Sequence, residues 1–318
     1  MTERLGNKMY VYGPVPSRRL GRSLGVSPIP SKTCSYSCVY CQLGRTDRLR
    51  VDRKRYFRPV DILDEIHDNL IESTPEFITF AGDGEPTLNI DLGRMIRHCK
   101  ESFDVPVAVI TNGSLLTDDI VRSDLMAADL VMPSLDAGCE RTFKKINRPH
   151  RDINYGHMLA GLAQFRHEFS GKIWMEVMLV QGLNDSDEEL KMIRSHLDMI
   201  KPDRIYVGTP TRPPTEKWVE PVGPEAVIRA KSVLQSRFTL DSFETSEFGL
   251  RSFHDAREAI TEIGGRHPLR REQAEKIVKF FGKDDTIKDM LTAHLLREVS
   301  FNSRSYLLPQ KERSIDGG

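Results

Sequence analysis

The sequence predicts an α/β protein: a partial (β/α)6, TIM-like barrel followed by a small C-terminal winged-helix-like domain. Three observations carry this. From Ser23 to Ser236 short apolar runs alternate with amphipathic stretches, the pattern of a parallel sheet with helices outside it. Polar motifs follow the apolar runs one after another, at the strand ends where parallel α/β folds bind ligands. Beyond Ser236 the alternation stops, and three helical stretches and a hairpin pattern follow.

The elements read in order as follows. Residues 1–22 form a basic N-terminal segment, 23–236 the barrel, 237–253 a linker, 254–310 the winged-helix-like domain and 311–318 a flexible tail. The first strand is SLGVSPI, and Pro59 opens a helix to Ile71, a first-turn position that suits proline. FITF (Phe77 to Phe80), VAVI (Val107 to Ile110), LVMP (Leu130 to Pro133), IWMEVMLV (Ile173 to Val180) and RIYV (Arg204 to Val207) are the further strands. Between them, Leu92, Met95, Ile96 and Cys99 recur at helical spacing, as do Met158, Leu162, Phe165 and Phe169. Thr117 is a candidate cap for the helix after VAVI. Ser186 and Glu189 have the spacing of a capping box, and a last helix runs from Pro224 to Leu234. Six units are too few for a closed eightfold barrel and enough for an open one, with a doubly wound sheet as the rival. In the C-terminal part, helices are expected over 254–263, 271–281 and 286–298, then two strands about Asn302-Ser303; Lys288, Thr292 and Arg297 would lie on the third helix.

Composition excludes several classes. The chain has 318 residues, 39% hydrophobic and 29% charged, with no apolar run long enough to span a bilayer. The N-terminus lacks the apolar core of a secretory signal, and five cysteines, three of them clustered, do not read as a disulfide framework. A cytoplasmic protein is expected. The formal net charge is zero, yet Met1 to Val60 holds 13 Lys+Arg against 3 Asp+Glu. PSRRLGRS and RTDRLRVDRKRYFRP flank the cysteines and could attract a polyanion such as RNA, or could be a solvated face.

Cys34, Cys38 and Cys41 lie in KTCSYSCVYCQLGRT. Clustered thiolates hold zinc or an iron-sulfur cluster. A closed zinc site needs a fourth ligand: Cys99 completes the apolar face of its helix, and Cys139, in the loop DAGCERTF, is better placed. Three intervening residues and then two are unusual for zinc and suit a [4Fe-4S] cluster with one iron left open to an external ligand.

That trio, with Tyr40 before its last cysteine, resembles the signature of the radical S-adenosylmethionine (SAM) superfamily, and companion motifs appear in order over about two-thirds of the chain. The resemblance implies a partial barrel and a [4Fe-4S] cluster on Cys34, Cys38 and Cys41 whose open iron takes the amino and carboxylate groups of S-adenosylmethionine. It also implies reductive cleavage to a 5′-deoxyadenosyl radical and a flavodoxin or ferredoxin as reductant. Gly84 and Glu85 of GDGEP match the loop that receives the methionyl ammonium, while Asp83 stands where many members have glycine. Tyr40 would approach the adenine, and Asn112, Ser134 and Asp136 lie where ribose and carboxylate contacts are made. Each of these also suits an ordinary turn or cap.

The motifs GPVPSRRLGRSLGV, CSYSCVYCQLG, FAGDGEPTLN, TNGSLL and SLDAGCERTFKKINRPH resemble the branch that includes the tRNA wyosine-base synthases. The chain has no second cysteine trio, so the branch guides fold and initiation chemistry rather than product. Cys139, near Lys144 and Lys145, is a candidate catalytic thiol, with an inert loop cysteine as the alternative. The expected function is modification of a macromolecule, tRNA or other RNA ahead of protein. The alternatives are a radical enzyme acting on protein or peptide, and a zinc-stabilised nucleic-acid binder without catalysis.

Overall fold

The computed structural model describes residues 10–239, 248–250 and 253–310. The expected tail 311–318, residues 1–9 of the N-terminal segment and residues 240–247 and 251–252 of the expected linker lie outside the described residues. Strands β1 (Val11–Ser17) and β2 (Gly21–Val26) form a hairpin, and the short strands β3 (Thr33–Cys34) and β4 (Arg48–Leu49) bracket the clustered cysteines. Then come α1 (Pro59–Glu72), β5 (Phe77–Phe80), a 3₁₀ turn (Pro86–Leu88), α2 (Leu92–Ser102), β6 (Val107–Thr111), α3 (Asp119–Leu125) and β7 (Leu130–Pro133). The barrel continues through α4 (Glu140–Ile146), α5 (Tyr155–Glu168), β8 (Lys172–Met178), α6 (Asp187–Ile200), β9 (Arg204–Gly208), α7 (Pro224–Leu234) and β10 (Phe238–Thr239).

These strands make one sheet in the order β1-β2-β5-β6-β7-β8-β9-β10. From β2 onward every neighbour is parallel. The order follows the chain without reversal, which excludes the doubly wound rival, whose strand order turns back at a switch point. It also has seven parallel strands rather than six, because β10 adds to β9 after α7. The first parallel strand starts at Gly21 rather than Ser23. Part of the segment expected to be a basic arm is β1, antiparallel to β2.

The period-2 pattern places alternate strand residues on opposite faces. Ile78, Phe80, Val107, Val109, Val131, Ile173 and Met175 pack with helix residues such as Ile62, Ile66, Met95, Ile96, Phe165 and Leu197 in the main core. On the concave face Ala108, Leu130 and Met132 meet Leu20, which comes from the turn between β1 and β2. Ser17 Oγ accepts from the backbone N–H groups of Arg19 and Leu20, folding that turn so that Leu20 closes the barrel floor.

Helix ends follow short polar side chains. Asp118, not Thr117, caps α3, accepting from Ile120 N at 2.8 Å. Ser186 caps α6 as expected, but the Glu189 carboxylate does not return to it; it accepts from Gly138 N and Thr142 Oγ1 at 2.5 and 3.0 Å and so ties α6 to the start of α4.

Past the barrel come α8 (Ala256–Arg266), β11 (Leu269–Arg270), α9 (Arg271–Phe281), α10 (Thr286–Thr292), β12 (Leu296–Phe301) and β13 (Arg304–Pro309). Their sheet has the order β11-β13-β12, and Ile260, Ile263, Ile277, Met290 and Leu307 share a separate core. The third helix ends at Thr292, so Arg297 stands on β12, not beside Lys288 and Thr292. Leu295 N bonds to Met290 O, and Leu296 turns back into the core as a strand residue.

Candidate active site at the C-terminal ends of the strands

After β2 the chain crosses the strand ends and enters the cysteine loop. That loop is built from internal bonds. Thr46 Oγ1 donates to Tyr36 O at 2.6 Å, Arg48 N to Lys32 O at 3.1 Å and Arg50 N to Cys34 O at 3.0 Å. Its outer edge is held by α4, through Val39 N to Ile146 O at 2.9 Å and the Tyr36 ring against Phe143, 5.3 Å between centroids. Thr215 Oγ1 donates to Cys41 O at 2.7 Å, while Glu216 accepts from Arg45 and Arg148.

On its inner side the loop lies on Gly84. Thr33 and Gly84 form a parallel bridge, and a Cβ on Gly84 would come within 1.8 Å of Thr33 O. No side chain fits there, and the backbone groups of the two loops meet directly. Glu85 is buried; its Oε1 accepts from Thr87 N, Thr87 Oγ1 and Thr111 Oγ1 and its Oε2 from Asn112 N, at 2.6 to 3.1 Å. Burial raises its pKa against the pull of those donors. Asn112 donates to Ser35 Oγ at 2.8 Å and lies 3.5 Å from Cys34 Sγ.

Asp136 is equally committed. Its Oδ2 accepts from Tyr40 Oη at 2.5 Å and Asn147 Nδ2 at 2.7 Å, and its Oδ1 from Met178 N at 2.8 Å. Ser134 extends β7 by a bridge to Glu176. Glu85, Asn112 and Asp136 thus brace the loops to one another.

Cys34, Cys38, Cys41, Tyr40 and Gly84 line one cavity of about 370 Å³ over the concave face of the sheet. Burial pushes the Cys34 thiol up to about 12 and raises Cys38 and Cys41 as well. Three such thiols become thiolates when a metal centre supplies the compensating charge. Donors already face the sulfurs: Tyr36 N is 3.4 Å from Cys34 Sγ and Asn147 Nδ2 3.5 Å from Cys38 Sγ. Among the described residues no three His, Cys, Asp or Glu side chains converge on a position for a single metal ion. A cluster makes no such demand, since each thiolate takes a different iron. The trio fits a [4Fe-4S] group.

Cys139 stands elsewhere, at the start of α4, with Sγ 3.4 Å from Thr142 Oγ1 and 3.7 Å from Glu189 Oε2. It is not among the residues lining the cavity, and Lys144 is paired with Glu140 at 2.8 Å. Cys99 is fully buried in the main core, where burial pushes its thiol up to about 12.

Sequence reasoning gave no site role to several other lining residues, among them Tyr12, Arg18, Arg19, Glu176, Arg212 and Arg266. Arg266 comes from α8 and pairs with Asp83 at 3.4 Å while lying 5.2 Å from the Tyr12 ring centroid. Tyr306 Oη donates to Thr211 O at 2.5 Å, and Arg212 donates to Gln42 and His267. The C-terminal unit therefore forms part of the cavity wall. Glu176 did leave a sequence signal, an acid in the middle of an apolar strand.

The radical SAM superfamily model matches residues 29–192, just over half of the chain. The chain belongs to the radical SAM superfamily. It is 33% identical over 93% of its length to the UPF0026 protein of Methanocaldococcus jannaschii, covering 95% of that protein. It is also 44% identical over 73% of its length to a Brachyspira hyodysenteriae protein named GTPase Obg, but spans only 34% of that protein. Among solved structures, a radical SAM methyltransferase from Sphaerobacter thermophilus aligns with TM-score 0.52 at 18% identity over 67% of this chain and 63% of that one. TYW1 with a lysine-pyruvate adduct aligns with TM-score 0.52 at 14% identity over 68% and 74%. These structural likenesses show the shared partial-barrel fold.

As a radical SAM enzyme the chain uses a [4Fe-4S] cluster and S-adenosylmethionine, which together supply, when bound, a radical able to abstract hydrogen. The chain's own residues do the rest. Cys34, Cys38 and Cys41 would hold the cluster, and Asn112 and Asn147 orient N–H groups at two of the sulfurs. Tyr40 is fixed by Asp136 at the cavity edge. Leu20 closes the floor and the C-terminal unit walls one side, which limits water around reacting groups.

Proposed function

We propose that this radical SAM enzyme uses reductive cleavage of S-adenosylmethionine to modify a macromolecule, RNA first. The observation that carries this reading is that Arg266 and His267 of the C-terminal unit line the same cavity as the three cysteines. A unit able to recognise a large substrate thereby adjoins the reacting groups. Its helix-strand-helix-helix-hairpin order is that of a winged helix, and we take 254–310 as a recognition domain attached to a barrel over 23–236. Gly84 and Glu85 would receive the methionyl ammonium through the backbone, Tyr40 would approach the adenine, and Asn112, Ser134 and Asp136 would shape the ribose side. Cys139 would act from outside the cavity. A flavodoxin or ferredoxin is the proposed reductant.

A second reading, a protein or peptide substrate, draws on one observation. The basic stretch after the cysteines is largely neutralised: Arg45 pairs with Glu216, Arg50 with Asp52, Arg53 with Asp124, Arg55 with Asp91 and Arg58 with Asp61. Such a face offers a phosphate backbone less than its sequence promised. No helix among the described residues is long and apolar enough to cross a membrane.

The test is anaerobic cross-linking in cells followed by sequencing of bound RNA and mass spectrometry of bound protein. Enrichment of discrete RNAs that lose a modified nucleotide when Cys38 is replaced supports the first reading. Enrichment of one protein with no RNA supports the second.

A further inference from the structure

The cysteine loop has two sides. Its inner side faces the cavity; its outer side is backed by residues 144–151 and 215–219, none of which lines the cavity. The backing bonds directly to the cysteine segment. Thr215 Oγ1 donates to Cys41 O at 2.7 Å, Glu216 N to Val39 O at 3.2 Å and Ser37 N to Asn147 O at 3.0 Å. The turn 216–219 closes through Val219 N to Glu216 O at 3.0 Å and buries both end residues, so its central pair, Lys217 and Trp218, stands in solvent. Trp218 is 54% exposed, whereas indoles are mostly covered in folded chains. The segments that make this side are also basic. Over residues 45–48, 140–152 and 216–220, eight Lys and Arg stand against five Asp and Glu. Three of those acids are already engaged: Glu216 by Arg45 and Arg148, Glu140 by Lys144 and Asp152 by Arg151. Exposed Arg48, Arg141, Lys145 and Lys217 have no ion pair among the described residues, and Asp47 and Glu220 remain to set against them.

A protein-sized electron donor does not enter a cavity of about 370 Å³ that also takes S-adenosylmethionine and substrate, so it must reach the cysteines from the outer side. Electron transfer falls steeply with distance, which favours the place where surface residues bond straight to the loop. We propose that Trp218 and the cations beside it form the docking face for an acidic one-electron carrier protein. An exposed aromatic anchor within a charged rim suits a transient protein partner, and opposite charges speed its encounter. One electron passes from the reduced carrier, which is oxidised, to the group held by the three cysteines; no bond forms or breaks. RNA would be drawn by the same cations, but a substrate RNA has to enter the cavity, which this face does not line. The partner's nature rests on the reductant proposed above; its place is read from this chain.

The test uses the full-length, anaerobically reconstituted protein with a purified acidic flavodoxin as probe. Surface plasmon resonance reads binding of the oxidised flavodoxin, and stopped-flow absorbance reads reduction of the cluster by the reduced form or by dithionite. The unaltered protein should bind flavodoxin saturably, and more weakly as salt rises. Binding should be about tenfold weaker in Trp218→Ala and in the double variant Lys145→Glu with Lys217→Glu, with flavodoxin-driven reduction slowed alike. Reduction by dithionite, too small to need a docking face, should be unchanged in both, which also shows that the variants fold and carry the cluster. The charge variant carries the test should Trp218→Ala fail to fold. Exposed Lys279→Glu, on α9, should match the unaltered protein. Flavodoxin bound equally by all variants overturns the docking face and leaves the reductant standing. No binding of flavodoxin, nor of a ferredoxin tried in its place against the same variants, overturns both. Weaker binding of a tRNA probe in these variants, with flavodoxin unaffected, assigns the face to nucleic acid and overturns it as well. The cross-linking experiment above reports the substrate separately.

Discussion

Tyr40 Oη donates to Asp136 Oδ2 at 2.5 Å, joining the cysteine loop to the segment after β7. The same carboxylate accepts from Asn147, whose amide also faces Cys38, so one buried acid positions both a cavity-lining ring and a sulfur donor. Asp136→Ala leaves three donors without their acceptor. Since an unsatisfied buried group costs about 1–3 kcal/mol, urea unfolding should show a loss of roughly 3 kcal/mol or more. Affinity for S-adenosylmethionine, read by equilibrium dialysis, should fall with it. Unchanged values for both would contradict the bracing role.

Gly84→Ala should separate folding from cluster binding. The added Cβ meets Thr33 O, a backbone atom one residue from Cys34, so the cysteine loop must lift while the barrel core is untouched. Iron retained after desalting should drop several-fold with little change in far-UV circular dichroism. Full iron content would show that the loop can shift without cost.

Leu20→Ala should act through the floor. Removing a buried leucine costs about 2–5 kcal/mol, and chemical denaturation should report a loss in that range. Because Leu20 packs against Ala108, Leu130 and Met132 on the concave face, abortive quenching of the radical by solvent should also rise. The ratio of deoxyadenosine to modified product measures that.

Glu216 gives a pH dependence of defined sign. Hydrogen bonds from Arg45 and Arg148 lower its pKa from 4.5 to about 2. A carboxylate held below its unfolded value contributes stability above pH 4.5 that is lost as pH falls through the window toward 2. Melting temperature of the cluster-free protein should decline across that window, and the decline should be shallower in Glu216→Gln. Both guanidinium groups are partly exposed, so high salt should also reduce the slope.

Much of the barrel was legible because buried parallel strands concentrate branched apolar residues and their loops concentrate turn formers: Phe77–Phe80 and Leu130–Pro133 match their sequence readings to the residue. The cysteine trio stood out by its spacing, and the structure brings all three cysteines to one cavity. What escaped depended on long-range partners. Val11–Ser17 carries two prolines and a glycine, and is a strand only because β2 pairs with it. The arginines of PSRRLGRS looked solvated because charge pattern alone does not show that Leu20 draws its turn into the barrel. Arg297 looked helical by continuity with Lys288, yet the chain reverses at Ala293 and His294, the latter with φ of 57°.

The most direct measurement is the metal content and reduced-state electron paramagnetic resonance of the anaerobically reconstituted protein, beside Cys38→Ala. The account expects about four irons and four sulfides per chain, a reduced-cluster signal that changes when S-adenosylmethionine is added, and deoxyadenosine formation that Cys38→Ala abolishes while the barrel stays folded. One zinc per chain without iron, or undiminished cleavage in Cys38→Ala, would contradict it.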